Sequence, residues 1–360
     1  MNKTKIFFII PTLFAGGAER VMSFVSQNLK KEKFDVTLVV IGFEKDSKYQ
    51  ISGIKVRYLN KTRVLNSIFD IIKLIKKEKP HIVVSALSHL NIAMGYISLL
   101  FPKIKFIGRH TIVSKVAEKY KAKNRNKLNL IISHFSSGYK YLDIILCQSK
   151  DMYNDIKDNF NVDVQRLRII NNPITDNFNL KTVKNNPNEV VKFVTVARLK
   201  KLKGHERIIN AISKLNFPYQ YIIIGDGPER ENIFNKIKTL GIEDKVIHIP
   251  YTSEVSKYLS ESDYYLMGSY AEGFPNCLIE SCSVGTPIIA FKAPGGLDEI
   301  IDEGVNGFMS ESEEEFVGNI MKSVKNHKWD INEISDSVLK KFNKEKIIIQ
   351  YENLFMDILK

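Results

Sequence analysis

Cysteine is scarce in this chain: only Cys147, Cys277 and Cys282 occur among 360 residues. None belongs to a CxxC pair, and no cluster of cysteine and histidine has the spacing of a zinc site. A disulfide scaffold and a structural metal are therefore not indicated, and a reducing, cytoplasmic setting fits best. Long apolar runs are also missing. The best one covers residues 93–101, well short of the ~20 residues that cross a bilayer.

The N-terminus resembles a short signal peptide, because Lys3 and Lys5 precede the apolar residues 6–10. Pro11 and the pair Gly16-Gly17 interrupt that run early, and an amphipathic helix pattern follows. We therefore expect the first strand and helix of a folded domain here rather than a cleaved leader.

The formal net charge is +13, which suits nucleic acid, an anionic membrane or a phosphorylated small ligand. Nucleic-acid modules carry paired CxxC or RNP motifs, and the sequence has neither, so we expect no nucleic acid partner. A lysine-rich solvated surface accounts for part of the charge. The length and the balance of 44% hydrophobic and 26% charged residues predict an ordinary folded protein of two domains.

Apolar strand patterns alternate with amphipathic helix patterns along the whole chain. This alternation predicts an α/β fold of βαβ units with parallel sheets covered on both faces. The predicted strands are Ile6–Pro11, Asp35–Gly42, Lys55–Leu59, His81–Ser85, Lys105–Arg109, Ile144–Gln148, Val191–Ala197, Tyr219–Gly225, Lys245–Ile249, Tyr264–Met267 and Pro287–Phe291. The predicted helices are Ala18–Lys31, Val64–Lys77, Leu90–Leu100, Leu128–Gly138, His205–Leu215, Glu229–Leu240, Glu254–Glu261, Asn276–Val284, Glu313–Asn326 and one near the C-terminus.

A polar stretch rich in asparagine and proline divides the chain. We predict a first doubly wound domain over residues 1–173, a linker over 174–189, a second such domain over 190–342 and an amphipathic helix over 343–360. Two such domains leave a cleft between them, and ligands of open α/β sheets sit beyond the carboxyl ends of the strands.

The turn after the first strand contains Gly16 and Gly17 at the entry to a helix. Glycines there let backbone N–H groups approach a phosphate or a sugar, although any tight βα turn also favours glycine. The stretch is neither a Walker A motif nor a complete GxGxxG.

The first strand of the second domain leads into a basic turn that holds Arg198 and Lys203. Two cations beside a helix N-terminus suit a diphosphate, whereas a solvated basic turn is the alternative, above all for Lys200 and Lys201. The next strand runs into Gly225-Asp226-Gly227-Pro228. Turn geometry and a proline at a helix start explain most of that motif, and a ligand has room against its glycine backbone.

The strongest motif has two carboxylates, Glu272 and Glu280, on either side of a helix start formed by Gly273, Pro275 and Asn276. Backbone N–H groups at a helix start hold a hydroxyl or a phosphate. Each carboxylate can then accept hydrogen bonds from hydroxyl groups of a ligand such as a sugar or a ribose. Glu280 lies among apolar residues, where a carboxylate is costly without such partners.

In this order, these motifs resemble those of retaining glycosyltransferases of family 4, and the resemblance covers nearly the whole chain. It implies the GT-B fold: two Rossmann-like doubly wound domains facing a central cleft, the first binding the acceptor and the second the nucleotide-sugar, with the C-terminal helix crossing back to the N-terminal domain. The Gly-Gly-Ala-Glu-Arg opening is similar to that of bacterial enzymes that build O-antigens, capsules and exopolysaccharides.

The resemblance also implies roles for individual residues. Arg198 and Lys203 neutralise the leaving diphosphate, Glu280 binds the ribose, and Glu272 faces the donor sugar. His110, at a strand end, matches the active-site histidine near the sugar. The remaining donor contacts are backbone groups at Gly16, Gly17, Gly225, Gly227, Pro250, Tyr251, Gly273, Phe274, Pro275 and Asn276, with Pro250 and Tyr251 reading the base.

The implied reaction moves a hexose or N-acetylhexosamine from a nucleotide-sugar, by family habit UDP-linked, with retention of configuration. The nucleotide-sugar is a co-substrate, and we expect no cofactor. The sequence has no pair of aspartates two residues apart, so the metal-binding DxD of the other major glycosyltransferase fold is absent and we predict no metal.

Two rival functions stay open at this point. Another GT-B enzyme, such as a nucleotide-sugar epimerase, shares the same site, and a non-catalytic sugar- or nucleotide-binding protein shares part of it. A dinucleotide-dependent oxidoreductase needs a full GxGxxG with an acid about twenty residues on, which is missing.

Residues 115–127 are basic, with apolar side chains interspersed, and they follow shortly after His110. Such a segment favours an anionic membrane surface, and we predict a peripheral protein on the cytoplasmic face of the cell membrane. The acceptor is then a glycan on a lipid, implied to be undecaprenyl diphosphate. A solvated lysine-rich loop is the alternative. The basic residues concerned are Lys115, Lys119, Lys121, Lys123, Arg125 and Lys127.

Overall fold

The computed structural model describes residues 3–120, 136–175, 178–182 and 190–360. They form two compact units. The first takes in residues 1–115, 122–175 and 344–360, and the second takes in 116–121 and 176–343. Most of the predicted linker, and most of the helix predicted over Leu128–Gly138, lie outside the described residues.

The first unit contains a parallel seven-stranded sheet. Its strand order, β3-β2-β1-β4-β5-β6-β7, reverses direction between β1 and β4, as a doubly wound sheet does. The strands are β1 Thr4–Ile10, β2 Phe34–Val40, β3 Lys55–Tyr58, β4 Ile82–Ala86, β5 Lys105–Arg109, β6 Ile144–Cys147 and β7 Leu167–Ile169. The helices that begin in this unit are α1 Gly17–Asn28, α2 Val64–Glu78, α3 Ser88–Ser98, α4 Ser114–Ala117 and α5 Lys150–Asn159.

Strand β1 shows why this sheet is covered on both faces. Residues 6–10 are all at most 1% exposed. Successive side chains of a strand point to opposite faces, so Phe8 and Ile10 join one apolar cluster while Phe7 and Ile9 join another. A continuous apolar run is therefore what a central parallel strand needs.

The C-terminal helix packs on the first unit, as predicted. Its apolar residues lie in the same cluster as Phe8 and Phe34, and the ring of Phe355 meets both of those rings edge-on, at 6.1 and 6.2 Å. Buried Glu352 accepts a hydrogen bond of 2.8 Å from the backbone N–H of Lys30, just past the end of α1. The residues packed this way are Ile347, Ile348, Tyr351, Leu354, Phe355 and Ile358.

The second unit repeats the same topology with six parallel strands in the order β10-β9-β8-β11-β12-β13. The strands are β8 Val191–Val196, β9 Tyr219–Ile224, β10 Val246–Ile249, β11 Tyr264–Met267, β12 Ile288–Phe291 and β13 Gly307–Ser310. The helices are α6 His205–Ile212, α7 Arg230–Thr239, α8 Val255–Ser260, α9 Asn276–Ser283, α10 Leu297–Ile300, α11 Glu313–Lys325 and α12 Ile331–Phe342, and the C-terminal helix is α13 Lys344–Asp357. The order in which the chain adds strands to the sheet reverses between β8 and β11.

Every predicted strand is present, with ends shifted by at most two residues, whereas the strands β7 and β13 and the helices α4, α5, α10 and α12 were not predicted. The two missed strands are edge strands of three and four residues, too short to show a period. The missed helices α4 and α10 have four residues each. The two longer missed helices are mostly polar: α5 buries Met152 and Ile156 as its apolar residues. Both begin at side-chain caps, Ser149 and Asp330, that the apolar pattern does not reveal.

Among the described residues, no helix combines the length and the apolar character that a membrane crossing requires.

Candidate functional site

The loops that follow β8 and β11 form the centre of the candidate site in the second unit. These strands are neighbours, and the order in which the chain adds strands to the sheet reverses between them. Ligands of doubly wound sheets bind at such a switch point, beyond the carboxyl ends of the strands. Residues 197–204 and 268–275 both leave the sheet there.

A hydrogen-bonded ion pair joins the two loops. The ammonium of Lys203 donates to Oε1 of Glu272 at 2.5 Å, and the hydroxyl of Ser269 donates to the same oxygen at 2.6 Å. The side chain of Glu272 is 12% exposed and that of Lys203 is 25% exposed. Because two donors hold one carboxylate oxygen, the orientation of the carboxylate is set before any ligand arrives.

Two glycines allow neighbouring loops at the carboxyl edge of this sheet to come into close backbone contact. Gly225 has φ +139°, and a Cβ there would lie 2.1 Å from the carbonyl oxygen of Ala197. Gly295 has φ +126°, and its Cβ would lie 2.4 Å from the carbonyl oxygen of Glu272. Any larger residue meets both a strained backbone and a clash. Gly227 is equally confined, with its Cβ position 2.4 Å from the oxygen of Leu199.

The basic turn gathers three cations. Arg198 is exposed directly after β8, and Lys203 is half-buried. The pKa of Lys200 is lowered by burial first and then by the charges of Arg198 and Lys203. Lys200 therefore belongs to the same positive cluster, although the sequence alone had left a solvated turn open as the alternative for this residue. The cluster leads into α6, whose first residue, His205, is buried.

Glu280 lies inside the protein, one turn into α9. That helix begins at Asn276, with Pro275 at the N-cap making no side-chain cap hydrogen bond. Glu280 is 3% exposed. Gly273 and Phe274 are buried as well, and the ring of Phe274 meets Phe342 of α12 edge-on at 5.1 Å. The loop before α9 is thus a packed part of the fold.

Pro250 and Tyr251 follow the outer strand β10 and are exposed, Tyr251 at 58%. The backbone N–H of Gly225 donates to the carbonyl of Ile249 at 2.9 Å, which ties the turn after β9 to the end of β10. The two predicted base-reading positions therefore adjoin the glycine turn.

A stack of four side chains lies beside Glu272. The guanidinium of Arg207 sits 4.2 Å from the ring centre of Phe291 and 4.3 Å from that of Tyr270, and Tyr120 stacks on Tyr270 at 4.4 Å. Arg207 also donates to the carbonyl oxygens of Gly268 and Ser269, each at 2.5 Å. Arg207 therefore holds the loop that carries Ser269 and Glu272.

Gly16 and Gly17, two predicted donor contacts in the first unit, lie at the start of α1. Gly16 is the N-cap of α1 in an extended conformation, with φ −152°. Its N–H donates to the hydroxyl of Tyr49 at 3.0 Å, and Tyr49 donates back to the carbonyl of Gly16. Gly17 is the first residue of α1. The extended backbone at Gly16 does not itself require glycine.

His110 is completely buried at the end of β5. Its Nδ1 lies 2.9 Å from the hydroxyl of Tyr139 and its Nε2 lies 3.1 Å from that of Ser114. Burial lowers the pKa of His110 to about 4, against the opposing effect of Asp155. The ring is therefore neutral at pH 7, and contact with a sugar stays a prediction.

Known protein families match both units. A model for Glycosyltransferase Family 4 matches residues 15–178, and one for Glycosyl transferases group 1 matches residues 176–351. The chain belongs to glycosyltransferase family 4.

This glycosyltransferase is similar over most of its length to a Campylobacter jejuni protein, N-acetylgalactosamine-N,N'-diacetylbacillosaminyl-diphospho-undecaprenol 4-alpha-N-acetylgalactosaminyltransferase. The two are 26% identical over 330 residues, which cover 88% of this chain and 87% of the relative. It is also similar to an Escherichia coli O-antigen biosynthesis glycosyltransferase, 28% identical over 199 residues, which cover 53% of this chain and 56% of that protein.

Among solved structures, Anabaena HepE in complex with UDP superposes on the glycosyltransferase with a TM-score of 0.76. The match covers 98% of this chain and 100% of that one at 16% identity. At this identity the likeness shows the fold, which is GT-B.

Sequence reasoning predicted Glu272, Lys203 and Arg198 as site residues but did not predict Ser269, Lys200 and Arg207, which lie in the same candidate site. Ser269 and Tyr270 stand in the same motif as Glu272. Arg207 lies on α6, and only the packing of α6 against the loop after β11 reveals its contacts.

Proposed function

We propose that this glycosyltransferase moves a hexose or N-acetylhexosamine from a UDP-sugar to a lipid-linked glycan, with retention of configuration, in bacterial surface polysaccharide synthesis. The observation that carries the proposal is the ion pair of Lys203 with Glu272, one from each switch-point loop, beside Arg198 and Lys200.

This arrangement suits a sugar attached to a diphosphate. Glu272 forms its ion pair with Lys203. The positive charges of Arg198 and Lys200 lie next to this pair and are not neutralised by Glu272. A diphosphate binds to such a cluster at the start of a helix. Glu272 then faces the hydroxyls of the donor sugar, while buried Glu280 accepts hydrogen bonds from the ribose.

Catalysis in this scheme depends on positioning and on charge. As the bond from the anomeric carbon to the phosphate oxygen breaks, the cations stabilise the negative charge that gathers on the diphosphate. The acceptor hydroxyl attacks from the face that the phosphate leaves, and the departing phosphate takes its proton. No metal or cofactor takes part in this proposal. A double displacement would instead use a carboxylate beneath the anomeric carbon, a role for which Glu272 is the candidate.

The names of similar proteins support the choice of donor and acceptor. The Campylobacter jejuni relative is named for an undecaprenol-linked substrate, the Escherichia coli relative for O-antigen, and HepE was solved with UDP. We accordingly propose an undecaprenyl diphosphate carrier and a place on the cytoplasmic face of the membrane. Of the basic segment 115–127 proposed for membrane contact, residues 121–127 lie outside the described residues.

A screen of nucleotide-sugars tests the proposal. One UDP-sugar should raise the Tm of the protein and be hydrolysed slowly, and the anomeric proton of the product should show the configuration of the donor by NMR. Conversion of the donor into an epimer identifies a nucleotide-sugar epimerase instead. Binding without turnover of any donor identifies a binding protein.

A further inference from the structure

A chain of buried polar side chains runs behind His110 in the first unit. Asn91 and His110 are completely buried, and Tyr139 is 1% exposed. Nδ1 of His110 lies 2.9 Å from the hydroxyl of Tyr139, and Nδ2 of Asn91 lies 3.2 Å from the same hydroxyl. Because each group has a fixed number of protons to donate, the partner at one end of the chain determines the proton positions at the other end.

The backbone carbonyl of Arg109 fixes the first end of this chain. It lies 2.9 Å from the side-chain amide of Asn91, and a carbonyl oxygen can only accept, so the NH2 group of Asn91 has to face it. The amide oxygen of Asn91 accepts from the hydroxyl of Ser85 at 2.8 Å. The NH2 group therefore also donates to Tyr139, whose oxygen acts as the acceptor.

The phenol of Tyr139 has one proton, and this proton is left for His110. Burial raises the pKa of Tyr139 to about 12, while hydrogen bonds with Asn91 and Ser88 act in the opposite direction. A hydrogen bond that lowers the pKa of a phenol stabilises the phenolate, as a donor does. The oxygen of Tyr139 thus accepts from both neighbours, and its own O–H donates to Nδ1 of His110.

The ring of His110 then carries its proton on the other nitrogen. Burial lowers the pKa of His110 to about 4, so a neutral ring with a single N–H is present at pH 7. Because Nδ1 accepts from Tyr139, the proton lies on Nε2, which donates to the hydroxyl of Ser114 at 3.1 Å. Turning the ring over would place carbon atoms against both hydroxyls, so the orientation of the ring is fixed as well.

Aromatic packing keeps His110 and Tyr139 in this arrangement. The two rings meet edge-on at 5.7 Å, and Phe160 meets each of them edge-on, at 5.6 Å from His110 and 5.2 Å from Tyr139. The turn that carries Tyr139 lies against α3, where a Cβ on Gly95 would overlap the carbonyl of Gly138. The donor to Nδ1 is therefore held by the packed fold.

We propose that Tyr139 is a positioning residue that fixes His110 as a hydrogen-bond donor through Nε2. The inference rests on the proposed function and on the predicted place of His110 beside the donor sugar. A ring that presents an N–H donates to a sugar oxygen and does not take a proton from the acceptor hydroxyl, which fits the departing phosphate as the base. Asn91 takes part as well, because its amide decides that Tyr139 donates to the ring.

Nitrogen NMR of the full chain, labelled at histidine, locates the proton without any substrate. At pH 7.5, Nε2 of His110 should appear as a protonated imidazole nitrogen and Nδ1 as an unprotonated one, and H110Q identifies these signals by their loss. Y139F removes the donor to Nδ1, so a second tautomer, protonated at Nδ1, should become populated. Y153F removes a hydroxyl from α5, beside the same apolar cluster as Tyr139, and should leave the His110 signals unchanged.

Steady-state kinetics test whether the reaction uses this proton. The amide of glutamine reaches the place of Nε2 and can donate an N–H there, whereas the amide of asparagine reaches the place of Nδ1. H110Q should therefore retain roughly tenfold more sugar transfer than H110N, about the effect of one hydrogen bond. Y139F should lower kcat roughly fivefold and leave the KM for the donor nearly unchanged, with an intact fold by circular dichroism.

Two kinds of result would overturn the proposal. One is a wild-type ring protonated at Nδ1, or the same single tautomer in Y139F as in the wild type. The other is a folded H110N that transfers sugar as well as H110Q does. Absence of any sugar transfer by the wild type would instead defeat the proposed function, and the NMR result on the proton of His110 would still stand.

Discussion

The carboxyl edges of the two sheets have the same topology and different chemistry. At β8 and β11, charged side chains meet across two loops and stay partly exposed, as Lys203 and Glu272 do. At the end of β5 in the first unit, His110 and its partners Tyr139 and Ser114 satisfy one another inside the protein. The doubly wound sheet supplies a position for a site, and the side chains decide whether that position is open to a ligand.

Backbone conformation differs between the carboxyl edges of the two sheets as well. Leu87, directly after β4, has φ +80° although it is not glycine. In the second unit, comparable conformations occur at Gly225 and Gly295, where a side chain has no room. The first unit therefore carries strain at a leucine, whereas the second avoids it by using glycine.

The largest expected effect tests whether the open, charged switch point is the reactive one. Glu272→Ala and Lys203→Ala should each lower sugar transfer about 10²–10³-fold, because each removes a preorganised charge contact. Circular dichroism should show an intact fold. Lys201→Ala, an exposed lysine in the same turn, serves as the control and should transfer normally. Turnover near wild type in the first two variants would remove the proposed site.

The glycine contact behind Glu272 can be tested by stability. Gly295→Ala should lower the free energy of unfolding by about 2–5 kcal/mol, from the positive φ and the clash with the carbonyl of Glu272. Gly241→Ala is the matched control, with φ +63° and no atom within 4 Å of the new Cβ. It should cost only about 1–2 kcal/mol. If urea unfolding shows an equal loss of unfolding free energy in both variants, the clash with the carbonyl of Glu272 does not contribute.

Among the residues that the structure describes, each unit contains one buried histidine whose pKa burial lowers from 6.5 to about 4: His110 in the first and His205 in the second. The unfolded chain therefore binds more protons between these values, so stability falls as the pH drops from 6.5 towards 4. Each residue should contribute on the order of 3 kcal/mol to this loss.

Urea unfolding at pH 7.5 and 4.5 measures that loss. His205→Phe should reduce the pH dependence, because the folded state then holds one histidine fewer that resists protonation. If the difference in unfolding free energy between the two pH values is unchanged in this variant, the buried histidine of the second unit does not cause the loss of stability in acid.

Glu280→Ala should act mainly on donor binding. Loss of hydrogen bonds to a carboxylate should raise the KM for the nucleotide-sugar by roughly tenfold or more, with a smaller change in kcat. Steady-state kinetics at varied donor concentration separate the two constants. An equal fall of kcat and kcat/KM would move Glu280 from ribose binding to the reacting sugar.

The smallest expected effect is none at all. Transfer should continue in excess EDTA, since the proposed site stabilises the diphosphate with Arg198, Lys200 and Lys203. Activity that EDTA abolishes and Mn²⁺ or Mg²⁺ restores would contradict this metal-free scheme.

The sequence by itself determined the architecture and the principal charged residues. Unbroken apolar runs such as Phe7-Phe8-Ile9 require burial on both faces, and their alternation with amphipathic helices leaves little besides doubly wound parallel sheets. Glu272 and Lys203 stood out because charged residues follow apolar strands at the edge where such sheets bind ligands.

Only the tertiary structure decided which of these residues touch. Lys203 and Glu272 are 69 residues apart, and their contact exists because β8 and β11 are neighbours in the sheet. The helix that carries Arg207 has a local pattern that predicts its buried side, but not the two carbonyls that its guanidinium holds. Burial of His110 and exposure of Phe69 were likewise decided by packing, because a residue's type sets what it costs to bury but not whether neighbouring elements cover it.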